Sequence, residues 1–210
     1  TSPNLNVNAT RFSPTKLIFK NRIGNDKWFD KIGISYNGNF NNSSTFGDSL
    51  LRKKEFQQIA DKFISGIKQS VTVTSTMKIL KNTWSLTPAF NYSHVVNFQQ
   101  TKLNYDTTSK KIETTNIKEP GSFQSMSASI ALSTQIYTYY KFLGKKNPLM
   151  RHIITPNVTY SYTPLTTVKK DSYFDANNKE IFYSTYQNSA FAQSIPRASS
   201  LLGFNLMNTF

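Results

Sequence analysis

The chain has 210 residues, of which 38% are hydrophobic, 14% aromatic and only 17% charged, with 25 Lys and Arg against 11 Asp and Glu for a net charge of +14. Cysteine is absent, which excludes disulfides and thiolate metal sites. No run approaches the roughly 18 apolar residues of a spanning helix, which excludes a helical membrane protein, and charge usage falls below the rough quarter of an ordinary soluble domain.

Successive side chains of a strand point to opposite faces, so strict alternation of apolar and polar residues marks a two-faced ribbon. Leu5, Val7 and Ala9 alternate with Asn6, Asn8 and Thr10, and Ile32, Ile34, Tyr36 and Phe40 with Gly33, Ser35, Asn37 and Asn39. The rhythm then breaks. Phe56, Ile59, Ala60, Phe63 and Ile64 fall at spacings of three and four, which predicts a short helix after the basic run Arg52, Lys53 and Lys54. Alternation resumes with Val71, Val73, Met77 and Ile79 against Thr72, Thr74, Thr76 and Lys78. Leu80, Lys81, Asn82 and Thr83 read as a tight polar turn into Trp84, Leu86, Phe90 and Tyr92. Residues 104–121 read as a long polar connector.

Residues 126–142 form the longest ribbon. Met126, Ala128, Ile130, Leu132 and Ile136 occupy one face, and Ser127, Ser129, Ser133 and Gln135 the other. A soluble strand averages about five or six residues, whereas a membrane strand needs roughly 9–11, and this run ends in aromatics as strands do at a membrane interface. A turn over residues 145–148 leads to Ile154, Val158, Tyr160 and Tyr162, which alternate with Thr155, Asn157, Thr159 and Ser161. The two ribbons are expected to pair antiparallel, with Ile130, Leu132, Ile136, Val158 and Tyr160 toward lipid and Ser129, Ser133, Asn157 and Thr159 toward a lumen. Residues 165–195 form a second long connector in which 180–186 alternate weakly, as a strand prolonged beyond the membrane does. Phe204, Leu206 and Phe210 close the chain in the same phase.

Proline donates no ladder hydrogen bond. Pro88 and Pro156 share a Thr-Pro-x-x-x-Tyr-Ser spacing, and each is expected to mark a strand start at the membrane rim. Short turns at one end and long loops at the other match an outer-membrane barrel. The chain opens without the secretory leader such a barrel needs, so it is expected to be a mature, trimmed or partial sequence.

Nothing in the pattern predicts catalysis. His94 sits in an alternating strand, His152 follows Arg151 at an expected turn, and neither has an acidic neighbour to orient it. Asp171, Asp175, Asn177 and Glu180 lack the glycine and spacing of a calcium loop and read as a hairpin turn. No cofactor, metal or catalytic residue is expected. The basic residues fall in connectors and the aromatics in strands, unlike the mixed surface of a nucleic-acid binder, so no nucleic-acid partner is expected. The positive connectors fit anionic lipid headgroups or a phosphorylated glycolipid.

Arg151, His152, Thr155 and Pro156, running on through Tyr160 and Tyr162 to Pro164, resemble a strand signature of the LptD (organic-solvent-tolerance) family, in which Arg-His-x-x-Thr-Pro opens an alternating aromatic and hydroxyl strand. The Ser-rich ribbon before it and the Leu-x-x-Phe-Asn-Leu-x-Asn strand after the next loop also resemble that family. The resemblance implies an all-β chain: an antiparallel transmembrane barrel wall, one section of a large C-terminal barrel, with the family's periplasmic jelly-roll domain outside this segment. At roughly 20–25 residues per strand and connector, about eight to ten strands are expected. It further implies insertion of lipopolysaccharide into the outer leaflet of a Gram-negative outer membrane, without enzymatic chemistry. The implied partners are lipopolysaccharide, an LptE-like lipoprotein plug, a periplasmic lipopolysaccharide bridge protein and membrane lipids. A nutrient receptor or porin-like barrel, and a secreted glycan-binding sandwich, are the alternative readings.

Overall fold

The computed structural model describes residues 4–18, 28–44, 62–141 and 149–210. Its strands, in chain order, are β1 (Leu5–Phe12), β2 (Gly33–Ser44), β3 (Phe63–Thr74), β4 (Met77–Ile79), β5 (Trp84–Asn97), β6 (Gln100–Asp106), β7 (Lys111–Ile117), β8 (Gly121–Thr134), β9 (Ile136–Lys141), β10 (Leu149–Thr163), β11 (Lys170–Phe174), β12 (Glu180–Ser184) and β13 (Ser199–Thr209). One turn of helix, α1 (Pro14–Ile18), and a short 3-10 turn, Trp28–Lys31, lie between β1 and β2.

Nine strands form one antiparallel sheet curled into a half-barrel, in the order β1-β2-β3-β5-β8-β10-β13, with β4 beside β5 and β9 beside β10. Along this sheet the strands follow one another in chain order, as in an up-and-down meander, with the β6–β7 and β11–β12 hairpins inserted between neighbours. β5 and β8 have 14 residues each and β10 has 15, longer than a bilayer crossing requires. The expected pairing of residues 126–142 with 153–162 is present: β8 and β9 both run antiparallel to β10. The expected turn over 145–148 lies outside the described residues.

Both prolines stand inside strands and not at their starts, which corrects the sequence expectation. Pro88 is the fifth residue of β5 and Pro156 the eighth of β10. Each stands at a break in the ladder to the neighbouring strand: Ser75 and Thr76, between β3 and β4, lie opposite Pro88 and Thr87, and Thr134 and Gln135, where β8 passes into β9, lie opposite Pro156 and Thr155. Register is unchanged across both gaps, since Thr74 pairs with Ala89 and Met77 with Leu86, while Ser133 pairs with Asn157 and Ile136 with Ile154. These are therefore two continuous ribbons, each missing ladder bonds where a proline has no N–H to give. At the first gap the reciprocal bond survives, Ser75 N donating to Pro88 O at 3.1 Å.

The helix expected around residues 56–64 is corrected where it can be seen. Phe63 and Ile64 begin β3, paired with Ser44 and Ser43 of β2; residues 56–61 lie outside the described chain. The connector over 104–121 is largely a hairpin, β6 with β7, and the later one contains β11 with β12, as the weak alternation over 180–186 suggests. The tight turn at 80–83 is present. Leu80, Lys81 and Asn82 all take left-handed φ (48°, 54° and 66°), and Thr83 closes it through N and Oγ1 donating to Leu80 O at 3.2 and 2.7 Å. Among the described residues, the long connectors after β5 and β10 lie at the opposite end. The expected division into short and long ends holds except for the 13–32 connector, which is long yet lies on the turn side.

Candidate functional site: a polar inner wall and its cap

Residues paired across antiparallel strands share a face, so the ladder resolves into rungs. Apolar rungs run Met77–Leu86–Leu132–Val158–Phe204 and Ala9–Tyr36–Val71–Tyr92–Met126. Polar rungs on the other face run Lys78–Ser85–Ser133–Asn157–Asn205 and Asn8–Asn37–Ser70–Ser93–Ser125. Hydrogen bonds tie the polar rungs across strands. Thr72 Oγ1 donates to Asn91 Oδ1 (2.8 Å), Ser70 Oγ to Ser93 Oγ (3.2 Å), and Asn37 Nδ2 to Asn6 Oδ1 (3.3 Å) and to Asn8. The nine strands of the sheet contain no Asp or Glu.

Burial is inverted relative to a water-soluble domain. From 121 to 130 along β8, every odd residue is shielded and every even one exposed, so Ser125, Ser127 and Ser129 are covered while Met126 and Ile130 face out. Curling the sheet toward its hydroxyl face produces this pattern, and it leaves Ile130, Ile136, Val158, Tyr160 and Phe204 in the open. Such a wall is stable only where its outer face meets something apolar.

At the end away from the tight turn the inner face turns apolar, and the β10–β13 connector folds over it. Val95 and Phe123, on the same face as the hydroxyl rungs, are buried beneath Val168, Tyr186 and Phe191, with the Phe123 and Tyr186 rings 5.3 Å apart. Asn97, 0% exposed, acts as a clamp: its Nδ2 donates to Phe191 O at 3.1 Å and its Oδ1 accepts from Phe191 N at 3.0 Å. Gly121 is required here, because a Cβ would run into the Tyr186 hydroxyl. Thr101 N donates to Thr185 O (2.7 Å), Ser189 Oγ to Gln99 O (2.8 Å) and Leu103 N to Tyr183 Oη (2.9 Å), joining the two long connectors into one cap. Burial and the nearby Glu119 charge raise the Tyr186 phenol above its ordinary pKa, and burial chiefly raises Tyr183. In the β6–β7 turn, Asp106 is lowered by bonds from the Ser109 side chain and the Thr108 and Ser109 amides. A cleft of about 820 Å³ opens between cap and wall, bordered by Ser125, Thr163, Pro164, Tyr183, Gln193 and Arg197.

The resemblance-derived residues spread along one strand and do not converge on a site. Arg151 and Thr155 lie on the inner face, with Arg151 opposite Tyr139; His152, Pro156, Tyr160 and Tyr162 lie on the outer face, and Pro164 borders the cleft. His152 is not at a turn but inside β10. It is buried, stacked on Phe210 at 4.2 Å, and its Nε2 lies 3.2 Å from Asn208 Oδ1. The acidic stretch from Asp171 to Glu180 is the expected hairpin. Asp175 Oδ1 accepts from the Asn177 and Lys179 amides at 2.8 and 2.9 Å, and no metal-ligating group of three is present among the described residues. Sequence reasoning missed the cap residues Asn97, Tyr186 and Phe191; the only local signal was the loss of alternation after Asn97.

The arrangement presents a continuous wall of hydroxyl and amide hydrogen-bonding groups on its inner face. A family model described as LptD protein matches residues 1–210. No curated protein and no solved structure matches the chain.

Proposed function

The chain belongs to the LptD protein family, whose place is the outer membrane and whose work is lipopolysaccharide transport and assembly, and we propose that the intact protein inserts lipopolysaccharide into the outer leaflet. The observation that carries this is the inverted sheet, with apolar rungs outside and uncharged hydroxyl and amide rungs inside. A saccharide headgroup crosses such a lumen through many weak contacts and leaves again, because no single contact is strong enough to hold it. The segment is one section of a single C-terminal barrel domain, with a jelly-roll domain elsewhere in the intact protein. Its partners are an LptE-like plug lipoprotein, a periplasmic bridge protein and the surrounding lipids. The protein moves its substrate without making or breaking bonds in it. Arg151, His152, Thr155, Pro156, Tyr160, Tyr162 and Pro164 serve the wall structurally, His152 by stacking and Pro156 by interrupting the ladder.

Depleting the protein in its host is expected to strand lipopolysaccharide beneath the outer leaflet, measured by surface labelling against total glycolipid. Normal surface lipopolysaccharide with failed uptake of one nutrient would replace this reading with a receptor.

A further inference from the structure

A pocket of about 380 Å³ lies against the inner wall at the tight-turn end, where β8 passes into β9, within the roughly 300–1,000 Å³ range of small-ligand sites. Lys78, Ser85, Ser133, Thr134, Gln135 and Thr155 line it. With Asn82 also on its lining, it holds one ammonium, several hydroxyls, two amides and no carboxylate. Lys78 Nζ donates one bond, to Ser85 Oγ at 2.6 Å, and an ammonium has three to give. Thr134 Oγ1 donates to Thr83 O at 2.9 Å, and Gln135 Oε1 accepts from Tyr137 Oη at 2.7 Å, which fixes the amide oxygen. On the same rung as Lys78 and Ser133, Asn157 Oδ1 is buried and has no partner. The ladder break at Pro156 passes through this place, opposite Thr134 and Gln135.

Charge around the mouth is one-sided. Among the described residues this end carries Arg11, Lys16, Lys31, Lys78, Lys81, Lys141 and Arg151 against the single carboxylate Asp30. At the cap end, lysines alternate with Asp106, Glu113, Glu119, Asp171, Asp175 and Glu180. An anion approaching the lumen is thus drawn to the turn end, where Arg151 and Lys141 share the inner face with Lys78 and Lys78 is the cation that lines this pocket.

We infer that this pocket is a receiving subsite for a phosphorylated sugar, with Lys78 on the phosphate and the Ser, Thr and Gln side chains on the ring hydroxyls. The inference rests on the transport reading and names where the headgroup is first held. The test uses the intact protein in lipid nanodiscs free of glycolipid, titrated with glucose 6-phosphate, glucose and inorganic phosphate. Glucose 6-phosphate is expected to bind with about millimolar affinity, and the other two at least about tenfold more weakly. Lys78→Gln is expected to weaken glucose 6-phosphate by about tenfold or more, Lys78→Arg to retain most of the binding, and Lys110→Gln in the distant β6–β7 turn to change nothing. Equal binding of inorganic phosphate, binding indifferent to Lys78, or no binding overturns the subsite. A protein that exports lipopolysaccharide but fails this titration loses the subsite alone; one that binds the sugar but leaves surface lipopolysaccharide unchanged on depletion loses the transport reading alone.

Discussion

At the scale of the residue, the two-faced wall makes neighbours unequal. Val158 belongs to the outer rung with Leu132 and Phe204, and Thr159 to the inner face opposite Ala131 and Gly203. Val158→Arg is expected to cost about 2–4 kcal/mol, because the guanidinium is placed in lipid, and Thr159→Arg to be mild. Urea titration of folding into vesicles checks this, and equal penalties would show the faces misassigned. Tyr186 ties cap stability to pH. Its folded pKa is raised by burial and by Glu119, so the unfolded phenol ionises first, near pH 10. Stability of the cap is therefore level below about pH 10 and falls as pH rises from there toward the folded pKa. Tyr186→Phe should flatten that decline, since the hydroxyl makes one long bond, to Ser122 O at 3.4 Å; hydrogen exchange of residues 183–193 across alkaline pH reports it.

At the scale of the element, two devices stand out, the interrupted strands and the clamped cap. Pro88→Val restores one N–H facing the Ser75–Thr76 gap, and about 0.5–1.5 kcal/mol of added stability is expected. Slower amide exchange at residues 75–77 is the matching local readout; unchanged exchange would place the cause of the gap elsewhere. Asn97→Ala removes both bonds to Phe191 and strands a buried amide and carbonyl, at about 1–3 kcal/mol for each group left unpaired. Its expected outcome is protease cleavage within residues 185–198 while β5 and β8 keep their protection. The prolines also show where local reading failed. A Thr-Pro inside an alternating run reads as a strand start because proline gives no ladder bond, yet the ribbons β3–β4 and β8–β9 simply skip that bond and keep register.

At the scale of the whole molecule, the chain is a wall whose two surfaces meet different media. Because it has no cysteine, single cysteines at positions 126–130 of the intact protein, in a background without others, test this directly. A fluorophore at 126, 128 or 130 is expected to be quenched by brominated lipid and one at 127 or 129 by a water-soluble quencher; a pattern without period two would refute the wall. Local sequence is enough for the long ribbons of the main sheet, their two faces, the Asp171–Glu180 hairpin and the turn at 80–83, because each is written in residues a few positions apart and follows from the pleat or from turn chemistry, whereas the β6–β7 hairpin lies within what reads as a polar connector. The resemblance around Arg151 and Pro156 pointed to the family that the match over residues 1–210 bears out. Only the tertiary structure decided that Phe63 and Ile64 join a strand, that His152 is buried against Phe210, and that the long connector closes over Val95 and Phe123. Those outcomes depend on partners far along the chain, such as Asn97 and Phe191 at a separation of 94 residues. Period-two alternation records which way a side chain points, and it carries nothing about what arrives to cover it.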